Sequence, residues 1–239
     1  MIKEITSKSN AKIKYLVSLH NSKDRKEHKQ FLAEGKKSLD MALERNLVQD
    51  IFTLSPIGNV PTEINQYIVN EEIMDKISST KSPEGIVFLC NMPKYDIKNA
   101  KKIVYLDHLN DPGNVGTIIR TALAFGYDAV VASEDSCDIY NEKVISATKG
   151  AIFALPVVKA NINDIKNDHV IIASTLSDKS ISLEEAQVNK PFILVLGNES
   201  HGVSQEVLDM SQMYVKIPIN TRESLNVSIA AGILMYHFK

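Results

Sequence analysis

The chain has 239 residues, of which 44% are hydrophobic and 23% charged, and its formal net charge is −2. This composition is typical of a globular protein long enough for two domains, and it does not indicate disorder. No apolar run approaches about 18 residues and the N-terminus lacks the apolar stretch of a signal peptide, so we expect a cytoplasmic protein without a membrane-spanning helix. Cys90 and Cys137 lie outside any CxxC pair, and the six histidines show no HExxH spacing. We therefore predict no metal site.

Positive charge is concentrated near the N-terminus. Residues 1–38 hold ten lysines and arginines against four acids, a charge of +6, so the remaining 201 residues carry −8. A local basic block on a near-neutral chain predicts contact with a polyanion at one end. A solvated helix face would explain the same charges equally well.

The first part of the chain predicts a small α/β domain over residues 1–92. Apolar spacing predicts helices over residues 10–20 and 31–47. Short strands and one further helix follow, at Ile51–Leu54, Gln66–Val69, Glu71–Ile77 (the helix) and Gly85–Leu89. The polar segment 93–101, with its proline, predicts a linker.

Residues 102–239 predict an open α/β domain. Five runs rich in Val, Ile and Leu predict strands of a parallel sheet covered on both faces, at Ile103–Leu106, Ala129–Ala132, Val170–Ala173, Phe192–Leu196 and Tyr214–Ile217. Helices are predicted between them, at Val115–Phe125, Glu142–Phe153, Glu184–Val188, Gln205–Met210 and Ser224–His237. In such a sheet, ligands bind beyond the carboxyl ends of the strands.

The loop after the first of these strands combines a turn with a helix start. Pro112 and Gly113 predict the turn, Asn114 is a candidate N-cap, and Arg120 follows inside the helix. A helix N-terminus with a nearby arginine suits a phosphate, although a surface arginine is an equally simple interpretation. The spacing is not GxGxxG, so a dinucleotide site is weakly supported.

Two later loops also follow strands. In residues 194–203, Gly197 and Gly202 would let a ligand approach the backbone, and Glu199 either belongs to a turn or faces a site. In residues 217–230, Ser224 is a plausible helix cap, whereas capping does not explain Asn226.

The three loops together resemble the three motifs of the SpoU/TrmH family in the SPOUT methyltransferase superfamily. The matching residues, in chain order, are Asn114, Gly116 and Arg120, then Gly197, Asn198, Glu199 and Gly202, then Ile217, Pro218 and residues 224–228. The N-terminal part resembles that family's substrate-binding domain, similar to ribosomal protein L30e, through residues 31–36 and 82–86. Thr221 departs from the pattern, since it stands near a usual glycine in a loop one residue shorter.

The resemblance implies a fold and an activity. It implies an α/β protein with a C-terminal SPOUT-type domain over residues 102–239, carrying a deep trefoil knot and a mostly parallel sheet, after an L30e-like RNA substrate-binding domain. It implies a homodimer formed through the C-terminal domain. The implied reaction is S-adenosylmethionine-dependent methylation of a ribose 2′-hydroxyl in ribosomal or transfer RNA.

The resemblance also assigns candidate site residues. Those expected to serve catalysis are Asn114, Arg120, Glu199, Ser224 and Asn226. Those expected to bind S-adenosylmethionine are Leu196, Gly197, Gly202, Ile217 and Leu225. From the basic block, those expected to contact RNA are Lys23, Arg25, Lys26, Lys29 and Lys36.

Three alternatives stay open from the sequence. The chain could be a non-catalytic RNA-binding adaptor with a degenerate methyltransferase fold, a Rossmann enzyme that uses NAD, or a methyltransferase acting on a base. The joint presence of Asn114, Arg120, Glu199 and Asn226 argues against the first.

Overall fold

The computed structural model describes residues 2–80, 83–220 and 224–239. Within these ranges the strands are β1 (Ile2–Ile5), β2 (Gln30–Glu34), β3 (Val48–Thr53), β4 (Asn65–Val69), β5 (Ile86–Asn91), β6 (Lys102–Leu106), β7 (Ala129–Ala132), β8 (Val157–Lys159), β9 (Val170–Ser174), β10 (Ile181–Ser182), β11 (Phe192–Leu196) and β12 (Met213–Lys216). The helices are α1 (Ala11–Ser18), α2 (Ser22–His28), α3 (Lys36–Glu44), α4 (Glu71–Ile77), α5 (Pro112–Ala124), α6 (Glu142–Thr148), α7 (Ala151–Ala154), α8 (Ile162–Ile165), α9 (Gln205–Met210) and α10 (Val227–His237). The described helices are too short or too polar to cross a bilayer.

The chain forms two compact units. The first comprises residues 1–94 and 140–154, and the second comprises residues 95–139 and 155–239. The segment 140–154 belongs by sequence to the predicted C-terminal domain, yet it packs with the first unit. The domain limits expected from the sequence, 1–92 and 102–239, therefore stay a prediction.

The first unit is built on a mixed sheet in the order β1-β4-β3-β5-β2. The first part of the predicted helix over residues 31–47 is wrong. Phe31–Glu34 belongs to β2, the last strand of this sheet, and pairs antiparallel with β5. Phe31 and Ala33 point into the core, and Gly35 ends the strand with a φ of +87° before α3 begins. A pairing partner 53 to 59 residues away along the chain therefore decides against the local helical spacing.

The segment 140–154 supplies apolar side chains to the first unit. Phe153 lies with its ring centroid 6.0 Å from those of Phe31 and Phe88. The helix predicted over Glu142–Phe153 is broken at Lys149 and Gly150, whose φ values are +50° and +92°. A Cβ on Gly150 would lie 2.6 Å from Met41 Sδ, so this turn needs glycine for both its conformation and its close packing.

The second unit is built on a parallel sheet in the order β10-β12-β9-β11-β6-β7-β8. Its central strands β6, β7 and β11 are almost entirely buried, as their composition predicts. The predicted α/β class with a mostly parallel sheet is confirmed, whereas the trefoil knot stays a prediction. The sequence missed β8 and β10, which have three and two residues and lie toward the two edges of the sheet.

A partly buried ion pair joins α1 to the first unit's sheet. Lys12 Nζ lies 2.6 Å from Asp50 Oδ2, and the Asp50 residue is only 3% exposed. Asn65 Nδ2 donates to the other carboxylate oxygen at 3.2 Å. Burial lowers the pKa of Lys12, but the hydrogen bond to Asp50 and its negative charge outweigh burial, so the pKa is raised above 10.5. Because the folded-state pKa is the higher one, the pair contributes fully at neutral pH and is lost only as the pH rises through that raised value.

Lys12→Met should destabilise the protein by roughly 1–3 kcal/mol, because it leaves the Asp50 carboxylate buried with one neutral donor. The double change Lys12→Met with Asp50→Asn should recover part of that loss, since no charge is then buried. Urea unfolding followed by circular dichroism measures both. Equal stability of the single and double variants would show that the carboxylate is solvated after all.

Candidate active site

The three motif loops follow β6, β11 and β12. These strands run parallel, with β11 beside β6 and β9 lying between β11 and β12. Their carboxyl ends therefore meet at one edge of the sheet.

The loop after β11 depends on close backbone approach. Asn198 and Gly202 exchange two backbone hydrogen bonds of 2.9 Å, which closes the loop on itself. A Cβ on Gly197 would lie 2.2 Å from the carbonyl carbon of Gly202 and from the nitrogen of Val203. Gly202 itself has a φ of +71°. Both glycines are thus required by the fold of this loop as well as by access for a ligand.

The loop after β6 is fastened to the loop after β11. Asp107 is 2% exposed and its Oδ2 accepts a hydrogen bond from the backbone nitrogen of Ser204 at 2.6 Å. His108 has a φ of +55°, and its carbonyl accepts from Asn198 Nδ2 at 2.8 Å. These two hydrogen bonds therefore hold the first two motifs in a fixed register.

Asn114 connects all three motifs. Its Nδ2 donates to Glu199 Oε1 at 3.0 Å, and its Oδ1 accepts from Asn226 Nδ2 at 3.1 Å. We call this pair of hydrogen bonds the Asn114 bridge. It brings together three of the side chains expected to serve catalysis, from positions 85 and 112 residues away from Asn114.

The predicted cap at Asn114 is wrong. Asp111 is the N-cap of α5, and its carboxylate accepts from the backbone nitrogen of Asn114 at 2.7 Å. Pro112 occupies the first turn, where its missing N–H removes no helical hydrogen bond. Asn114 therefore lies inside the helix, and its side chain is available for the bridge.

The predicted cap at Ser224 is also wrong. Asn226 is the N-cap of α10, with its Oδ1 accepting from the backbone nitrogen of Ser228 at 2.9 Å. Asn226 thus uses its oxygen to begin a helix and its nitrogen to hold Asn114, which explains the asparagine that the sequence left unexplained. Thr221, in the same loop, lies outside the described residues.

A cavity of about 590 Å³ opens beside the bridge. It is lined by Ser174, Thr175 and Leu176, by residues 196–202, by Val215, Lys216, Ile217 and Ile219, and by Ser224, Leu225, Asn226, Val227 and Ala230. All five residues expected to bind the cofactor line it, as do Glu199, Ser224 and Asn226. The segment 174–176, which follows β9, was missed because no motif marks it. The predicted strand at Val170–Ala173 was the available signal.

The cavity fits the predicted cofactor. Its volume lies in the ordinary range for a small-molecule site. The apolar side chains of Leu196, Ile217 and Leu225 can cover an adenine ring, and the 37% exposure of Leu225 leaves its side chain accessible to one. Backbone groups around Gly197 can approach closely because no side chain intervenes.

Arg120 lies outside this cavity. It is exposed on α5, and it makes no hydrogen bond or ion pair with the residues that the structure describes. An exposed guanidinium on the helix that carries the bridge is available to a phosphate or to a partner chain. Glu199, which either belonged to a turn or faced a site on its sequence alone, lines the cavity and accepts from Asn114.

Some cations of the basic block, residues 1–38, already bond to other groups of the chain. Arg25 is 3% exposed and its Nη1 donates to the carbonyls of Leu19 and His20 at 2.8 Å, so the predicted RNA contact at Arg25 is corrected. Lys36 forms an ion pair with Asp40 one helical turn away. The exposed lysines Lys23, Lys26 and Lys29 lie on α2 or at its C-terminal cap. Ser82, in the second segment of the N-terminal resemblance, lies outside the described residues.

No site for a metal ion is formed by three or more His, Cys, Asp or Glu side chains in residues 2–80, 83–220 and 224–239. Cys137 lies near the loop after β6. Burial raises the pKa of its thiol to about 11, which makes it a poor nucleophile at neutral pH.

Comparison with known proteins identifies the family of both parts. Residues 101–236 match the SpoU rRNA Methylase family, and residues 10–87 match the MRM3-like substrate binding domain. The chain is 32% identical over its whole length to the whole of the 23S rRNA (guanosine(2553)-2′-O)-methyltransferase RlmP of Bacillus subtilis.

Solved structures agree with the sequence matches. The AdoMet-bound rRNA methyltransferase of Sinorhizobium meliloti superposes with a TM-score of 0.89 at 28% identity, covering 99% of this chain and 97% of that one. An RNA 2′-O ribose methyltransferase superposes with a TM-score of 0.80 at 27% identity, covering 98% and 97%. The predicted enzyme class, cofactor and α/β fold class are confirmed, and the alternatives of an adaptor and an NAD enzyme are not favoured. The chain belongs to the SpoU rRNA methylase family and is an S-adenosylmethionine-dependent RNA ribose 2′-O-methyltransferase.

Proposed function

We propose that this enzyme methylates 23S ribosomal RNA, at the ribose of the nucleotide equivalent to guanosine 2553 in the Bacillus subtilis relative. The observation that carries the assignment of a complete active site is the Asn114 bridge, which joins the three motifs beside the cavity. The choice of RNA is supported by the full-length similarity to that relative.

The cavity residues Leu196, Gly197, Gly202, Ile217 and Leu225 would hold S-adenosylmethionine. When bound, the cofactor supplies an electrophilic methyl group on a sulfonium. The ribose 2′-oxygen gains that methyl group and loses its proton, and a hydroxyl is a weak nucleophile near neutral pH. The protein must therefore align the oxygen and favour loss of the proton.

We assign Arg120 to the acceptor side of the reaction. A guanidinium is a difficult base, because its pKa is above about 12. Its planar fork can instead hold an RNA phosphate and stabilise negative charge that develops on the 2′-oxygen. The proton would then pass to a phosphate oxygen or to water. Arg120 is exposed and lies outside the cofactor cavity, which supports a role toward the RNA acceptor and not toward the cofactor.

Asn114, Glu199 and Asn226 are positioning residues in this proposal. The bridge fixes the start of α5, and thus the direction of Arg120 six residues later, relative to the cavity. Ser224 lines the cavity next to Leu225 and completes its polar wall.

We further propose a homodimer built on α10. Ile229, Ile233 and Tyr236 repeat at helical spacing and are 57%, 40% and 59% exposed. Three large apolar side chains on one helix face are unfavourable to leave in water, so a second copy of the same face would cover them. A cytoplasmic location would accord with a ribosomal RNA substrate.

The test of the function is transfer from radiolabelled S-adenosylmethionine to 23S rRNA purified from cells that lack the gene, followed by mapping of 2′-O-methyl groups. The parent protein should label one position, the equivalent of 2553. Arg120→Ala should slow transfer by at least about a hundredfold while cofactor affinity by calorimetry stays within a few-fold. Transfer to a base, or to transfer RNA alone, would refute the assignment of substrate. Loss of cofactor binding in the variant would refute the role of Arg120.

The dimer is tested by Ile229→Glu with Ile233→Glu. Two carboxylates on the apolar face should convert the protein to a monomer in sedimentation velocity, because burying them would leave unpaired charges in the interface. Ile2→Glu is the matched control, since Ile2 is 57% exposed in the first unit and should leave the mass unchanged. A parent protein that sediments as a fully active monomer contradicts the proposal.

The lysines of α2 should contribute to RNA affinity through counterion release. Replacing Lys23, Lys26 and Lys29 by Ala should weaken RNA binding and reduce the salt slope by about three, one for each phosphate that is no longer neutralised. The matched control replaces Lys98, Lys101 and Lys190. These exposed lysines precede β6 or β11, at the edge of the sheet opposite the active site. Equal salt slopes for both triple variants would mean that the α2 lysines only solvate the surface.

A further inference from the structure

We propose that a second cavity, within the first unit, binds one nucleotide of the RNA substrate. This inference rests on the proposed action on RNA. The cavity has a volume of about 520 Å³, large enough for a base with its sugar and phosphate. Its walls come from five parts of the first unit: the corner between α1 and α2, β2, the start of α3, the residues Ser79, Thr80 and Glu84, and the segment 140–149.

The floor of the cavity is apolar. Leu19, Ala33 and Ile145 line it and are at most 6% exposed. Tyr140 lies at the wall, and its ring centroid is 4.7 Å from that of Phe31, which holds the ring in place from behind. An apolar lining with an aromatic ring packed at its wall suits the faces of a nucleobase that has left its stack.

Two lysines at the wall provide positive charge for a phosphate. Lys37 and Lys149 are exposed, and neither forms an ion pair with any residue in the described ranges. The nearby acid Glu142 is already engaged, since its Oε2 lies 2.8 Å from His20 Nδ1. Lys37 and Lys149 are therefore available to an anion that enters from solvent.

Glu34 holds one wall of the cavity in place. Its Oε1 accepts from the backbone nitrogen and the hydroxyl of Ser79 at 2.6 and 2.7 Å, and its Oε2 accepts from the hydroxyls of Ser78 and Thr80 at 2.7 and 3.2 Å. Four donors satisfy this carboxylate, so it is a structural clamp and not a competitor for the phosphate. The glutamate of the Phe31–Gly35 sequence thereby gains a role that its sequence context did not reveal.

Glu84 is the carboxylate that stays available to the ligand. It lies against Gly35, where a Cβ would be 2.9 Å from its Oε2. It is exposed and forms no hydrogen bond with the described part of the chain. A carboxylate accepts hydrogen bonds from the amino and imino groups of a base edge, so Glu84 can recognise the base while the lysines hold the phosphate.

The nucleotide could be free or part of RNA, and the surroundings favour RNA. The lining residues from Leu19 to Glu84 lie within the segment 10–87 that matches a substrate binding domain. The exposed lysines of α2 lie in the same unit and extend the positive surface along which a polymer could continue.

Binding of ribosomal RNA purified from cells that lack the gene tests the proposal without any methyl transfer. Ser146→Trp places a bulky ring from α6 into the cavity and should weaken RNA binding about tenfold or more. Lys143→Trp puts the same ring on the same helix away from the cavity, and should leave affinity unchanged. Cofactor affinity and the urea midpoint should match the parent in both variants.

A charge test covers the case in which Ser146→Trp does not fold. Lys37→Gln with Lys149→Gln should reduce the salt slope of RNA binding by about two. Lys143→Gln with Lys190→Gln removes the same charge elsewhere and should not.

Parental affinity and salt slope in both cavity variants would overturn the proposal, even if the enzyme methylates RNA as proposed. Reduced binding by both cavity variants would support the cavity even if the parent transfers no methyl group. Titration with free GMP and AMP shows whether the cavity binds a free mononucleotide or a nucleotide that is part of RNA. Tight binding of a free mononucleotide, with RNA affinity unaffected by either cavity variant, would overturn the assignment to RNA.

Discussion

The active site depends on one constraint, the close approach of the two ends of the loop after β11. Gly197 allows it, because any side chain there would overlap the backbone at Gly202. Once the loop is closed, Asn198 can reach the carbonyl of His108 and Glu199 can reach Asn114. The absence of a side chain at Gly197 is therefore one condition for the contacts between the first two motifs.

Polar side chains in this site are used mainly to position other groups. Asp107 and Asn198 fasten loops, Asp111 begins α5, and Asn226 begins α10 while holding Asn114. Polar side chains that only position other groups are sufficient in a site whose cofactor carries no phosphate and needs no cluster of lysines. Arg120 is exposed on α5 and does not line the cavity. In the role proposed for it, chemistry on the acceptor side is separated from recognition of the cofactor.

Net charge was an incomplete guide to the RNA-binding surface. Residues 1–38 carry +6, yet Arg25 is buried against carbonyls, Lys12 is paired with Asp50, and Lys36 is paired with Asp40. The exposed lysines on α2 and around the second cavity are the smaller set to which we assign RNA contact. The pairing of each cation decides whether it can release counterions, and of these three pairings only that of Lys12 with Asp50 joins residues far apart in the sequence.

The sequence by itself determined the elements with strong local signals. Runs rich in Val, Ile and Leu identified β6, β7, β9 and β11 to within one residue at each end, because a strand buried on both faces can contain little else. The more exposed β12 was also identified to within one residue. Glycine, proline and asparagine marked the three motif loops, and their combination identified the family. Tertiary structure alone decided that residues 31–34 form a strand, that Asn114 bonds Glu199 and Asn226, and that segment 140–154 packs with the first unit. It also placed residues 174–176 in the cofactor cavity and assembled the second cavity from five separate parts. In each of these cases the deciding interaction is a hydrogen bond or a packing contact between residues far apart in the chain, and local pattern carries no information about such a partner.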